Sequence, residues 1–84
     1  MDPETIIQYG QAVRQFIGSD AGKAIMHEMG ERYVQEWLAA EAPQGRENAW
    51  AKRRALADLQ LALKAVADTG EFEQRELDRK NRKK

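Results

Sequence analysis

The sequence of 84 residues contains no cysteine and only one histidine, His27. A disulfide framework is therefore excluded, and a zinc site made of the usual cysteine and histidine ligands cannot form. A chain of this length buries only about 60% of the surface that its unfolded form exposes, so its stability margin is thin. Small domains compensate with disulfides, metals or subunit association. With the first two excluded, self-association is the remaining means of stabilisation.

The sequence also lacks a long apolar run, and it has only six glycines and two prolines. No stretch approaches the roughly 20 apolar residues of a membrane-spanning helix. The first residues, Met1–Glu4, carry two acids and no base, which is unlike a secretory signal. Hydrophobic residues at 42% and charged residues at 33% are typical of a folded, soluble domain. We therefore expect a cytoplasmic protein without a membrane partner.

Helix start and stop signals divide the chain into three segments. Asp2 followed by Pro3 is typical of a helix start, and Ser19 or Asp20 can cap a second helix. Pro43 with Gly45 predicts a break before the third. The pattern predicts an all-α fold: a three-helix domain or helical hairpin with a long third helix and a basic C-terminal tail. We expect one domain over 1–78 with helices at 3–17, 20–40, 46–69 and, if Gly70 ends or bends the third, 71–78, followed by a frayed tail at 79–84.

The third segment has the clearest apolar periodicity, with Lys52, Leu56, Leu59, Leu63 and Val66 at alternating steps of four and three. This spacing predicts one long packing face. Aromatic side chains are numerous for so small a core, and indole rings that the helices cannot enclose indicate an interface. We therefore predict a homo-oligomer whose protein interface includes Tyr33, Trp37, Trp50, Leu56, Leu59 and Leu63.

The formal net charge is zero, but the charges are unevenly placed. Residues 1–78 contain nine lysines and arginines against 14 acids, whereas residues 79–84 contain five bases and no acid. Such a cluster can dock an acidic protein surface or contact phosphates in a salt-dependent way, and it also suits a helix C-terminus. A second basic cluster adjoins Trp50. Candidate contacts to nucleic acid or to an acidic partner are Lys52, Arg53, Arg54, Arg79, Lys80, Arg82, Lys83 and Lys84.

No residue pattern points to catalysis. His27 has no serine, cysteine or second histidine at helical spacing, so it lacks a nucleophile to activate or a metal to share. Glu28, Glu31 and Glu36 with Arg32 could form a carboxylate site, but helical pairs such as Glu28 with Arg32 are typical of a solvated face. We expect no catalytic, cofactor-binding or metal-binding residues, no small-molecule ligand and no enzyme activity.

One resemblance extends over about residues 16–70. It rests on the stretches Phe16–Ile25, Glu36–Leu38 with Tyr33 before them, Asn48–Trp50 after the break at Pro43, Arg54–Leu59 and Val66–Gly70. In this arrangement the chain resembles small helical proteins encoded among the head-assembly and DNA-packaging genes of tailed bacteriophages. The resemblance implies a non-enzymatic, scaffolding-type role in virion assembly or genome packaging, in the bacterial host cytoplasm or in the virion. It transfers no individual functional residue.

Three functions remain open from the sequence. The first is a structural or assembly protein that acts through protein–protein contacts with itself and with another protein. The second is a nucleic-acid-binding accessory, such as a small packaging subunit or regulator, that uses the basic tail. The third is an inhibitor of a host defence enzyme, which would present acidic residues such as Glu28, Glu31, Glu36 and Glu41 to a basic groove.

Overall fold

The computed structural model describes residues 1–82, and Lys83 and Lys84 lie outside the described residues. The described chain forms three helices without strands: α1 at Pro3–Gly18, α2 at Asp20–Ala39 and α3 at Pro43–Arg82. The predicted all-α fold with a long third helix is confirmed. The helices are joined by one residue after α1 and by three residues after α2.

Side-chain caps fix the starts of the first two helices. The Asp2 carboxylate accepts a hydrogen bond from the Thr5 amide at 2.8 Å, and the Ser19 hydroxyl accepts one from the Gly22 amide at 2.9 Å. Both bonds satisfy amides in the first helical turn, which have no partner within the helix. Asp2 also has a lowered pKa, chiefly because the Thr5 amide stabilises the charged carboxylate.

The third helix starts earlier and ends later than the sequence pattern predicts. Pro43 is its first residue, where a missing amide hydrogen has no cost, and the Ala42 carbonyl accepts from the amides of Gly45 and Arg46. The helix continues through Gly70 without a break, so the expected end or separate segment there is wrong. Arg79–Arg82 form its last turn, and the fraying expected of the tail at 79–84 stays a prediction.

Contacts between Cα atoms divide the chain into two compact units. The terminal unit comprises α1 with α3 from Ala62 onward, and the central unit comprises α2 with α3 up to Leu61. Each unit thus contains one helix packed on part of α3. The single domain over 1–78 stays a prediction.

The terminal unit is held at a close crossing of two glycines. A Cβ atom built on Gly10 would lie 2.7 Å from the Cα atom of Gly70, so neither position has room for a side chain. Gly70 is therefore part of the packing between α1 and α3, and its helical conformation follows from that contact. Ile7 and Ala67 are the buried apolar side chains of this unit.

The central unit has an equally small core. Ala49 and Leu56 of α3 are buried. Gly30 of α2 is also buried, and a Cβ atom there would lie 3.6 Å from the Arg53 Nε and 3.8 Å from the Leu56 Cδ2. The Arg53 and Leu56 side chains of α3 thus lie beside the α2 backbone, at a distance where a Cβ atom would make ordinary van der Waals contact. One helix against another covers only one face of each, which leaves the remaining faces of α3 exposed.

Candidate interaction surface

The two tryptophans lie at the surface of the central unit. Trp37 on α2 is 45% exposed and Trp50 on α3 is 57% exposed. Trp50 directly follows the buried Ala49, and one residue turns an α-helix by about 100°, so the indole points away from the face that packs on α2. The Arg54 guanidinium lies 5.3 Å from the centre of the Trp50 ring. A large aromatic surface beside a cation is typical of a protein interface.

The other predicted interface residues divide into exposed and packed positions. Leu59 is exposed, and Tyr33 and Leu63 are half-buried. Leu56 needs a correction, because it is buried against α2 near Gly30 and belongs to the core of the central unit. Of the packing face predicted along α3, Leu56 is buried, whereas Leu59 and Val66 are exposed.

A second line of mainly apolar residues runs along α3, on a different face from the predicted packing face. Its residues follow one another at steps of four, three, four, four, three and four, which keeps them on one face of the helix. We call this line the outer stripe; it consists of Trp50, Arg54, Ala57, Leu61, Ala65, Asp68 and Phe72. Leu61 is 67% exposed and Phe72 is 58% exposed, and neither is among the predicted interface residues. The spacing of 11 residues from Trp50 to Leu61 and from Leu61 to Phe72 is the sequence signal that identifies them.

The basic cluster Lys52, Arg53 and Arg54 does not form one patch. The Lys52 ammonium lies 3.1 Å from a Glu36 carboxylate oxygen and 5.9 Å from the centre of the Tyr33 ring. Arg53 packs beside Gly30, and Arg54 lies over Trp50. Consecutive residues on a helix diverge by about 100°, so the three charges point in different directions. Each of them contacts other residues of the chain.

Ion pairs connect the helices of the terminal unit and line the end of α3. The Arg14 guanidinium of α1 lies 3.0 Å from a Glu71 carboxylate oxygen and also donates to the Ala67 carbonyl at 3.5 Å. Arg75 pairs with the same carboxylate, and Arg79 pairs with Glu76. Lys80 and Arg82 are exposed in the last turn of α3, whereas the predicted contacts Lys83 and Lys84 lie outside the described residues.

Comparisons with family models, curated proteins and solved structures gave no match.

An open groove lies in the terminal unit. Met1, Ile6 and Tyr9 line a mainly apolar groove of about 280 Å³ together with residues of α3, Ala65, Val66 and Thr69. His27, Glu28 and Glu31 are exposed on α2. Among residues 1–82, no group of three or more histidine, aspartate or glutamate side chains is placed to hold a metal ion. None of the helices described is long and apolar enough to span a membrane.

Proposed function

We propose that this chain is a non-enzymatic assembly protein that acts through protein–protein contacts, first with further copies of itself and then with another protein. By the phage resemblance, its setting would be virion assembly or genome packaging, in the host cytoplasm or the virion. The observation that carries the proposal is the amount of surface that a single copy leaves uncovered.

The accessible surface of the chain is 6628 Å². A folded monomer of 9.6 kDa exposes about 5100 Å² by the usual scaling of surface with mass. The excess is about 1500 Å², and a standard stable interface covers about 800 Å² on each partner. The excess is therefore larger than the area that a stable dimer would cover on each copy.

The composition of the uncovered surface supports the same function. Trp37, Trp50, Leu61 and Phe72 are all exposed, and large aromatic residues are enriched in interface centres. Monomeric proteins seldom leave extended apolar patches open to water. Contact with another macromolecule would remove this surface from water.

The mass of the protein in solution tests the proposal. Sedimentation equilibrium from low to high micromolar concentration should give a weight-average mass that rises above 9.6 kDa towards a defined oligomer. Substituting exposed aromatics, with Trp50→Ala as the first variant, should shift the association to higher concentration. The control is Gln15→Ala, an exposed α1 residue without an aromatic ring, which should leave the association unchanged. A strict monomer at every concentration would remove the main support for the proposal.

Nucleic-acid binding is the second candidate, because Lys80 and Arg82 are exposed beside Arg79 in the last turn of α3. Phosphate contacts by such residues weaken steeply as salt rises. The test is the binding of arbitrary duplex DNA at low and moderate salt, with and without residues 79–84. An equal affinity for both forms would exclude this tail as a nucleic-acid contact.

A further inference from the structure

The residue types of the outer stripe follow the same order in both directions from Leu61. On either side of this leucine stand an alanine, then a charged residue, then an aromatic residue: Ala57, Arg54 and Trp50 in one direction, and Ala65, Asp68 and Phe72 in the other. The distances match as well, because each pair is equally far from Leu61 along α3. The two charged members have opposite signs. A two-fold axis through Leu61 would therefore bring complementary residues together.

We propose that a second copy of this chain docks on the outer stripe, with the two α3 helices antiparallel and Leu61 of each copy on the two-fold axis. The inference rests on the proposed function and specifies its interface. In this register Trp50 faces Phe72 of the second copy, Arg54 faces its Asp68, and Ala57 faces its Ala65. Each contact occurs twice, as the symmetry of a closed dimer requires.

Charge decides the direction of the helices. In the antiparallel register Arg54 meets Asp68 of the second copy. A parallel pairing would place Arg54 against Arg54 and Asp68 against Asp68. Opposite charges at an interface select the correct partner orientation, whereas like charges disfavour the alternative.

The present contacts of these charges are compatible with docking. Lys64 lies 3.9 Å from Asp68 within the chain, and both side chains are exposed. A second copy would add its Arg54 to this pair, so that Asp68 lies between two cations. Clustered ion pairs stabilise an interface more than isolated exposed pairs do, because each side chain is already partly ordered and loses less conformational entropy.

Side-chain size suits a close approach of the two helices. Ala57 and Ala65 flank Leu61, so small side chains occupy the positions nearest the axis. Helices with small contact residues can pack at the short end of the usual 8–10 Å axial distance. The aromatic residues lie 11 positions before and after Leu61, at the two ends of the stripe, where they would close the interface. The excess accessible surface of each copy, about 1500 Å², is larger than the area of about 800 Å² that a standard interface covers on each partner.

A single cysteine tests the register, because the natural chain contains none. Leu61→Cys places identical thiols across the two-fold axis, where Cβ atoms about 3.5–4.5 Å apart can form a disulfide. Leu59→Cys is the matched control: the same exposed residue type, two positions away, on another face of α3. Full-length variants are oxidised, or treated with a short bis-maleimide, and separated under denaturing conditions. We expect Leu61→Cys to give at least tenfold more covalent dimer than Leu59→Cys.

The outcomes separate this inference from the proposed function. If the natural chain dimerises but Leu59→Cys cross-links as well as Leu61→Cys, or neither does, the register is wrong and self-association stands. If the natural chain is monomeric at every concentration, both the register and the proposed self-association fail. Leu61 is exposed, so its replacement does not disturb the core. A circular dichroism spectrum typical of α-helix will show that each cysteine variant is folded.

Charge reversal gives an independent measurement. Arg54→Asp alone should weaken dimerisation roughly tenfold, since two opposite-charge contacts become like-charge contacts. Adding Asp68→Arg to it should restore most of the affinity, because the pairs are then reversed but complementary. Lys80→Asp, which changes the net charge equally but lies off the stripe, should leave the affinity within about twofold. A double variant as weak as the single one would overturn the pairing.

Discussion

Gly10 and Gly70 show how two residues without side chains determine the packing of the terminal unit. Each has the backbone of the other helix within van der Waals reach, at a point where any Cβ atom would collide with it. A glycine in a helix interior normally lowers stability because the unfolded chain gains freedom. Here the close approach of α1 to α3 offsets that loss.

Gly70→Ala should therefore destabilise the protein, although alanine is the better helix former. Its Cβ atom would lie 2.8 Å from the Gly10 Cα and 3.0 Å from the Ile6 carbonyl oxygen, and these backbone atoms can move only if the helices separate. We expect a loss of roughly 1–3 kcal/mol, as for other overpacked sites. Gly18→Ala is the control, since a Cβ atom there would have no atom of another described helix within 4 Å. It should be neutral or stabilise by up to about 1 kcal/mol in urea unfolding. An equal gain in unfolding free energy for Gly70→Ala and Gly18→Ala would contradict the close crossing of α1 and α3.

Asp2 makes the start of α1 sensitive to acid. Its pKa lies below the ordinary 3.8, so the folded state favours the charged carboxylate that accepts from Thr5. A lowered pKa gives stability that is fully present above the unfolded value and is lost as pH falls through the folded value. We expect the difference in unfolding free energy between the natural chain and Asp2→Ala to be constant near neutral pH and to shrink below about pH 4. Asp2→Asn, which keeps an uncharged acceptor, should show no such pH dependence. A difference unchanged down to pH 2 would exclude the carboxylate cap.

At the scale of the helices, the sequence predicts elements well where local signals decide them. Caps and a proline at a helix start act within one turn, so the starts of α1 and α2 agree with prediction within a residue. The continuation of α3 through Gly70 could not be predicted, because it depends on a contact with Gly10, 60 positions earlier in the sequence. A local rule treats the glycine as a stop, whereas the fold uses it for packing.

Ser19 should be the residue on which the start of α2 depends most. Its hydroxyl accepts from the Gly22 amide, and the next turn contains that glycine, which weakens the helix further. Ser19→Ala should cost about 1 kcal/mol of unfolding free energy, whereas Ser19→Asp should stay within a few tenths because aspartate caps equally well. Chemical denaturation followed by circular dichroism measures both variants. Equal losses of unfolding free energy in Ser19→Ala and Ser19→Asp would mean that the side-chain cap does not stabilise the start of α2.

At the scale of the whole molecule, the candidate surface was only partly predictable. Exposed tryptophans follow from the large aromatic content, and Trp37 and Trp50 are placed as that argument expects. Leu56 fits the interface pattern equally well in sequence, yet α2 covers it. Periodicity shows which residues share a face of a helix, but it does not show which face another helix covers. Leu61 and Phe72 become candidates only when the covered face of α3 is known.

Trp50 should report association directly, because the proposed register covers it with Phe72 of a second copy. In a Trp37→Phe variant Trp50 is the sole indole, and its exposed ring should emit at long wavelength when the protein is dilute. Raising the concentration should shift the emission to shorter wavelength over the same range in which the mass doubles, since binding removes the ring from water. Phe72→Ala in this background should move the shift to higher concentration, whereas Leu77→Ala, on another face of α3, should leave it in place. A mass that doubles without a change in Trp50 emission would locate the dimer interface elsewhere on the chain.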